Sequence, residues 1–102
     1  MAHFLYRLFP PRPDFPAGMT EEEDAAMARH GAYWLAQINS GAATAVGPVF
    51  APDGTFGLAV FDATDAEAAA GIAAADPVLS AGLGFTHRVD PMPSLLRPPP
   101  RR

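Results

Sequence analysis

The strongest constraint in the sequence is one long amphipathic helix, predicted between Met19 and Gly41. Thr20 and Glu23 have the spacing of a capping box, in which the two residues satisfy each other's backbone donors at the start of a helix. Gly41 supplies the left-handed residue that commonly follows a helix. Between these ends, apolar residues recur at helical spacing and predict one buried stripe: Met27, Gly31, Trp34, Leu35 and Ile38.

Composition and charge argue against several classes of protein. The chain has 102 residues and a net charge of −4, so it is long enough for one domain but lacks the basic footprint of a nucleic-acid-binding protein. No apolar run approaches the ~20 residues of a transmembrane helix, and proline interrupts the apolar N-terminus too soon for a secretory signal. Because cysteine is absent, we expect no disulfides and a cytoplasmic location. Because no transmembrane helix is predicted, we expect no membrane partner.

Four strands and a second helix are predicted around the long helix. The strands cover residues 3–9, 42–50, 56–61 and 83–89. Asp53-Gly54 is a hairpin-turn signal between the second and third strands. Gly47 and Pro48 suggest a bulge in the second strand, and the sequence DPMP is expected to end the fourth.

The second helix is rich in alanine. Thr64 and Glu67 repeat the capping-box spacing, and the helix is expected to run to about Ala74. Asp76-Pro77 then ends it, because the residue before a proline avoids the helical conformation. Aspartate before proline is also a good cap for the following turn, VLSAG.

The resulting order, β-α-β-β-α-β, predicts an α+β fold with the ferredoxin-like arrangement of an antiparallel sheet and two helices on one face. Alternation in the first strand places two sets of side chains on opposite faces, namely Phe4, Tyr6 and Leu8 against His3, Leu5, Arg7 and Phe9. Two helices cover only one face, so we expect the other to be covered by a second copy in a two-fold homodimer. We place the domain at residues 1–93. Residues 94–102 are predicted to be a disordered, proline- and arginine-rich tail whose arginines are able to touch a partner.

Three segments, HGAYWL, GPV and DPVLSAG, together resemble the YciI-like (YCII-related) family, which has the dimeric α+β barrel fold. The resemblance covers roughly residues 3–92. The positions that match the family pattern are His30, Gly47-Pro48, Asp76-Pro77 and Ala81-Gly82. Members of the family are mostly of unknown function, although a dehydrochlorinase of chlorinated hydroxyquinol is among the relatives.

The resemblance implies a proton-transfer site made by His30 and Asp76. Many relatives have an aromatic residue directly after Asp-Pro, where this chain has Val78, so the identity of the substrate does not carry across. Independently of the resemblance, Arg7 and Tyr33 are the candidate substrate-binding residues: Arg7 has the charge to bind an anionic substrate, and Tyr33 is expected at the rim of a pocket or on the surface. The alternative for Arg7 is an ordinary interface salt bridge. The alternatives for the pair are a helix-margin histidine bonded to water or a carbonyl, and an aspartate that only caps a turn.

Three hypotheses for the function follow. The leading one is an enzyme that acts on a small organic molecule by general acid–base catalysis, in an isomerisation or an elimination, with His30 as the base or acid and Asp76 as its orienting partner. The second is a dimer that binds a small ligand, or assists another protein, without turnover. The third is a cofactor-free oxygenase, which rests on fold analogy alone. No phosphate-loop or metal-ligand spacing is present, so we expect no cofactor and no metal.

Overall fold

A computed structural model describes residues 1–99 of the chain. In order, the elements are β1 (Ala2–Phe9), α1 (Glu21–Asn39), β2 (Ala43–Ala51), β3 (Gly54–Ala63), α2 (Ala66–Ala74) and β4 (Thr86–Met92), with a short 3-10 turn over Leu79–Ala81 before β4. The predicted order β-α-β-β-α-β and the α+β ferredoxin-like class are confirmed.

The four strands within residues 1–99 form one sheet in the order β2-β3-β1-β4, and every neighbouring pair is antiparallel. The alternation predicted for β1 is confirmed. Phe4, Tyr6 and Leu8 are buried beneath the helices, whereas the residues between them are only half-buried on the other face. Helix α1 packs against β2, and α2 packs against β3 and β4. One face of the sheet is therefore covered by helices and the other, here called the open face, is not.

The start of α1 is the predicted capping box. The Thr20 hydroxyl accepts the Glu23 N–H at 3.1 Å, and the Glu23 carboxylate accepts the Thr20 N–H at 3.0 Å. Residues 10–20 form a proline-rich connector between β1 and α1. Arg12 of this connector donates two hydrogen bonds of 2.9 Å to the same carboxylate. These hydrogen bonds from Arg12 and Thr20 lower the pKa of Glu23 to about 2. The connector is thus tied to the first turn of the helix.

The predicted stripe on α1 is correct at Trp34, which is 1% exposed, and wrong at Leu35, which is 58% exposed. Successive helical residues point about 100° apart. Because Trp34 faces the sheet, its neighbour Leu35 is turned to solvent. Ala26 is fully buried on the sheet-facing side, where its small size allows α1 to approach.

The second helix is capped differently from the prediction. Asp65, not Thr64, is the cap, and its carboxylate accepts the Ala68 N–H at 2.8 Å. An aspartate at this position satisfies a backbone donor and also places a negative charge at the positive end of the helix dipole.

Two strand predictions are also corrected. The irregularity in β2 lies between Ala43 and Ala45, and not at Gly47-Pro48, which pair regularly with β3. Strand β4 begins at Thr86 and continues through Pro91, the partner of Phe4, to Met92. Both strands lie at the edges of the sheet, where a proline does not need to donate a hydrogen bond on its outer side.

The hairpin between β2 and β3 is confirmed, with Ala51 paired to Gly54 across the turn. Residues 94–99 form neither helix nor strand. Within this stretch, Arg97 donates to the Thr44 hydroxyl at 2.9 Å and to the Asp62 carboxylate at 3.3 Å. The rest of the predicted tail, residues 100–102, lies outside the described residues, and the boundary after residue 93 stays a prediction. No helix among residues 1–99 is long and apolar enough to cross a membrane.

Candidate active site

His30 and Asp76 are in direct contact, with His30 Nδ1 2.6 Å from Asp76 Oδ2. His30 lies in the middle of α1, and Asp76 lies just beyond the end of α2. The capping role predicted for Asp76 is present as well, since Oδ1 accepts the Val78 N–H at 3.1 Å. One carboxylate oxygen therefore fixes the turn after α2, and the other faces the first helix.

Asp76 Oδ2 accepts two further hydrogen bonds that the sequence analysis missed. Tyr6 Oη and Trp34 Nε1 each donate to it at 2.8 Å. A signal for both was available, because a buried tyrosine or tryptophan usually finds a partner for its polar atom. Tyr6 was predicted on the same face of the first strand as Phe4 and Leu8. Trp34 follows His30 by one helical turn and therefore lies on the same side of the helix.

The carboxyl group of Asp76 is 1% exposed yet remains ionised. Burial alone would raise its pKa, but the hydrogen bonds from His30 and Trp34 outweigh burial and hold the pKa below its usual value. Burial, followed by the nearby Asp76 charge, raises the pKa of Tyr6. Tyr6 is consequently a protonated donor to an ionised acceptor.

These contacts determine which nitrogen of His30 is available. An ionised carboxylate only accepts hydrogen bonds, so His30 Nδ1 carries the proton that joins it to Asp76. In the neutral imidazole the other nitrogen, Nε2, then has a free lone pair. A carboxylate that fixes the tautomer of a histidine in this way leaves Nε2 ready to accept a proton.

His30 lines a cavity of about 420 Å³. Four residues of α1, at positions i, i+3, i+4 and i+7, form one wall: Met27, His30, Gly31 and Trp34. The proline-rich connector and the β2–β3 hairpin supply most of the remainder, including Phe15, Met19, Val46, Pro48 and Phe50. Among the described residues that line it, only His30 and Tyr6 have a titratable side chain. The cavity is therefore apolar, with one imidazole in its wall.

The two candidate substrate-binding residues do not line this cavity. Tyr33 donates to the Ile72 carbonyl at 2.6 Å and so links α1 to α2; burial raises its pKa. Arg7 projects from the open face, where its guanidinium donates to Asp90 at 3.3 Å. The structure thus brings His30 and Asp76 together. Tyr33 lies outside the cavity, between the two helices, and Arg7 lies on the opposite face of the sheet. Residues 1–99 contain no group of three or more histidine, aspartate or glutamate residues able to hold a metal ion.

The fold and the site together define a class of protein: a ferredoxin-like α+β domain with a buried His–Asp pair beside an apolar cavity. A comparison with protein-family models matches residues 4–93 to the YCII-related domain. The match covers most of the chain, and the chain therefore belongs to the YCII-related family, as its resemblance indicated. A comparison with the curated proteins gives no match.

Proposed function

We propose that this protein is a small-molecule enzyme that uses His30 and Asp76 for general acid–base catalysis. The observation that carries the proposal is the 2.6 Å contact between His30 Nδ1 and Asp76 Oδ2, made by a histidine that lines a cavity of ligand size. The pair supplies a base and a group that stabilises its protonated form, in mostly apolar surroundings.

In the proposed mechanism, His30 Nε2 removes a proton from a C–H or O–H group of the substrate. The imidazolium that forms is stabilised by the Asp76 carboxylate, which Tyr6 and Trp34 hold in place. In an isomerisation, Nε2 returns the proton to another atom of the substrate. In an elimination, the electron pair of the broken bond forms a new π bond and expels the leaving group with its own bonding electrons. Positioned bases of this kind typically contribute about 10²–10⁴-fold to a rate.

The base can be tested with nitrobenzisoxazole, an uncharged ring that opens when a base removes its ring C–H proton. The N–O bond breaks in the same step and gives a coloured cyanophenolate. We expect His30→Gln to lower the rate about 100-fold or more. His3→Gln is the matched control, because His3 also contacts an aspartate but lies on the open face. Equal rates for the two variants, or a wild-type rate no faster than free imidazole, would contradict the proposal.

The second candidate is a ligand-binding protein without turnover. The nearly uniform apolar lining favours it, because such a surface binds a molecule but contributes few groups that orient a reaction. Saturable binding of nitrobenzisoxazole without ring opening would support this candidate. The oxygenase hypothesis still rests on fold analogy alone.

We also propose that two copies associate through their open faces. Leu5, Phe9 and Val60 on this face are half-buried within a single chain, and a two-fold dimer would complete their burial. Sedimentation at micromolar concentration should give about twice the chain mass. Leu5→Glu should lower the measured mass toward that of one chain, because the charge would be buried in the interface. A wild-type monomer would contradict this proposal. The cytoplasmic location stays a prediction.

A further inference from the structure

The cavity beside His30 contains no charge with which to bind a charged molecule. Apart from His30 and Tyr6, its described lining residues are apolar or uncharged. Tyr6 is protonated and its hydroxyl is already donated to Asp76. Arg12 and Glu23, at the start of α1, are already paired with each other by two hydrogen bonds of 2.9 Å.

We infer that the ligand of this cavity is an uncharged, mostly apolar molecule that presents a single polar or acidic group to His30. The inference rests on the proposed function for the role of His30, but the charge of the ligand follows from the lining alone. It also assigns the binding surface to the helix side of the sheet, away from Arg7.

A charged ligand of either sign would lack a direct partner in this cavity. When His30 is protonated, Asp76 already balances its charge, so the pair has no net positive charge to hold an anion. When His30 is neutral, the Asp76 carboxylate behind it repels an anion. The same carboxylate attracts a cation at a distance, but a cation cannot contact it, because Asp76 Oδ2 is occupied by three donors and its side chain is inaccessible. Burial of a charge without a partner is costly.

Gly31 provides the space for this ligand. It lies between Met27 and Trp34 on the cavity wall, and a Cβ added to it would meet no atom within 4 Å. Glycine inside a helix costs about 1 kcal/mol relative to alanine. The position therefore leaves room next to His30 at the expense of helix stability.

The mouth of the cavity has the same apolar character. Met19 and Val46 are each 37% exposed and Phe50 is 73% exposed, and all three line the cavity. Side chains of this kind favour entry of an apolar molecule, which would remove part of their surface from water.

Three probes that share one ring system test the inference: naphthylmethanol, naphthoate and naphthylmethylammonium. Binding to the full chain is measured by NMR from the indole N–H of Trp34, whose ring lines the cavity. We expect naphthylmethanol to bind saturably and both ions to bind at least about tenfold more weakly, because neither ion finds a counter-charge that it can contact. Binding of either ion as tight as that of the alcohol, or no binding of the alcohol, would overturn the inference.

A pair of glycine variants locates the binding. Gly31→Leu should fill the space beside His30 and abolish the binding of naphthylmethanol. Gly71→Leu is the matched control, since Gly71 is also an exposed helical glycine with no atom within 4 Å of an added Cβ, but lies outside the cavity. If Gly31→Leu does not fold, Gly31→Ala serves instead and should weaken binding while the helix becomes more stable. Unchanged binding in the Gly31 variant would overturn the inference.

The same set of proteins separates the inference from the proposed function. Selective binding of the alcohol by a wild-type protein that does not open nitrobenzisoxazole supports the inference and rejects the enzyme. Ring opening that depends on His30, together with equal binding of naphthoate, supports the enzyme and rejects the inference.

Discussion

Residues 1–99 contain two His–Asp pairs, which lie on opposite faces of the sheet and have nearly equal contact distances. His30 and Asp76 are 2.6 Å apart on the helix side, and His3 and Asp62 are 2.7 Å apart on the open face. The Asp76 side chain is fully buried and receives two neutral donors besides the histidine. The Asp62 side chain is 13% exposed and receives a cation, Arg97, as its further partner.

The comparison shows that a His–Asp contact does not by itself make a site. On the open face, Arg97 already balances the charge of Asp62, and the pair joins register partners on adjacent strands. On the helix side, the neutral donors Tyr6 and Trp34 keep Asp76 ionised without balancing its charge. The charge of Asp76 is therefore available to stabilise a protonated His30. His30 also lines the cavity, where a ligand can contact it.

The largest difference between the pairs should appear when each carboxylate is removed. Asp76→Ala leaves the donor atoms of Tyr6, Trp34 and His30 buried without an acceptor, and should cost about 3–5 kcal/mol of unfolding free energy. Asp62→Ala releases partners that reach solvent and should cost about 1 kcal/mol or less. Urea denaturation of both variants measures the two losses. Similar losses would mean that the neutral donors do not distinguish the pairs.

A smaller effect is expected when one neutral donor is removed. Tyr6→Phe deletes a hydrogen bond to a buried charge and should cost about 1.5–3 kcal/mol. Tyr33→Phe, the control, deletes a hydrogen bond to the neutral Ile72 carbonyl and should cost about 0.5–1.5 kcal/mol. Both changes remove one hydroxyl, so urea denaturation compares the acceptors directly. A Tyr6 loss no larger than the Tyr33 loss would argue against an ionised Asp76.

The pH dependence of stability tests the ionisation of Asp76 directly. Its folded-state pKa is lowered, so its contribution is present above the unfolded-state value of about 3.9 and is lost as the pH falls through the folded-state pKa. Asp76→Asn should therefore lose less stability than the wild type between about pH 6 and about pH 2. Glu23 and Asp62 also have lowered pKa values, and both remain in the variant as a common background. If Asp76→Asn lost as much stability in acid as the wild type, this would contradict the assignment of Asp76 as ionised.

The smallest effect is expected at Arg97, whose side chain is 41% exposed. Arg97→Gln removes a partly exposed ion pair with Asp62 and should cost less than about 1 kcal/mol. The loss should decrease further at about 1 M salt, where the screening length falls to about 3 Å. Thermal denaturation at low and high salt gives the comparison. A loss that does not change with salt would mean that Arg97 contributes by packing and not by charge.

Much of the local structure was predictable from short stretches of sequence. Thr20 and Glu23 predicted the first cap because a capping box requires only two residues at fixed spacing. The helix period located Trp34 in the core but could not exclude Leu35, since Leu35 is also apolar and lies at the edge of the same stripe. Pro91 was expected to end β4, and it did not because β4 lies at the edge of the sheet, a position that depends on strand order.

The candidate site was predictable only in part. His30 and Asp76 came from the resemblance to the family, because their spacing alone favoured a helix-margin histidine and a turn cap. Arg7 was a candidate because its charge suits an anionic substrate, and the alternation of β1 already predicted it on the face opposite Tyr6. The sequence did not show that the cavity lies on the face of Tyr6. The donors Tyr6 and Trp34 went unassigned because an apolar pattern identifies a buried ring without identifying what its polar atom meets.

Short-range patterns in the chain were enough to predict the order of the elements, the cap of the first helix and the two faces of the central strand. These depend on residues a few positions apart, whose conformations follow from backbone sterics and side-chain period. No such pattern predicts that Asp76 Oδ2 is contacted by Trp34, His30 and Tyr6, which are 42, 46 and 70 residues away in the chain. Such convergence depends on how the helices pack on the sheet, and the same packing leaves the space beside Gly31 in which a ligand would meet His30.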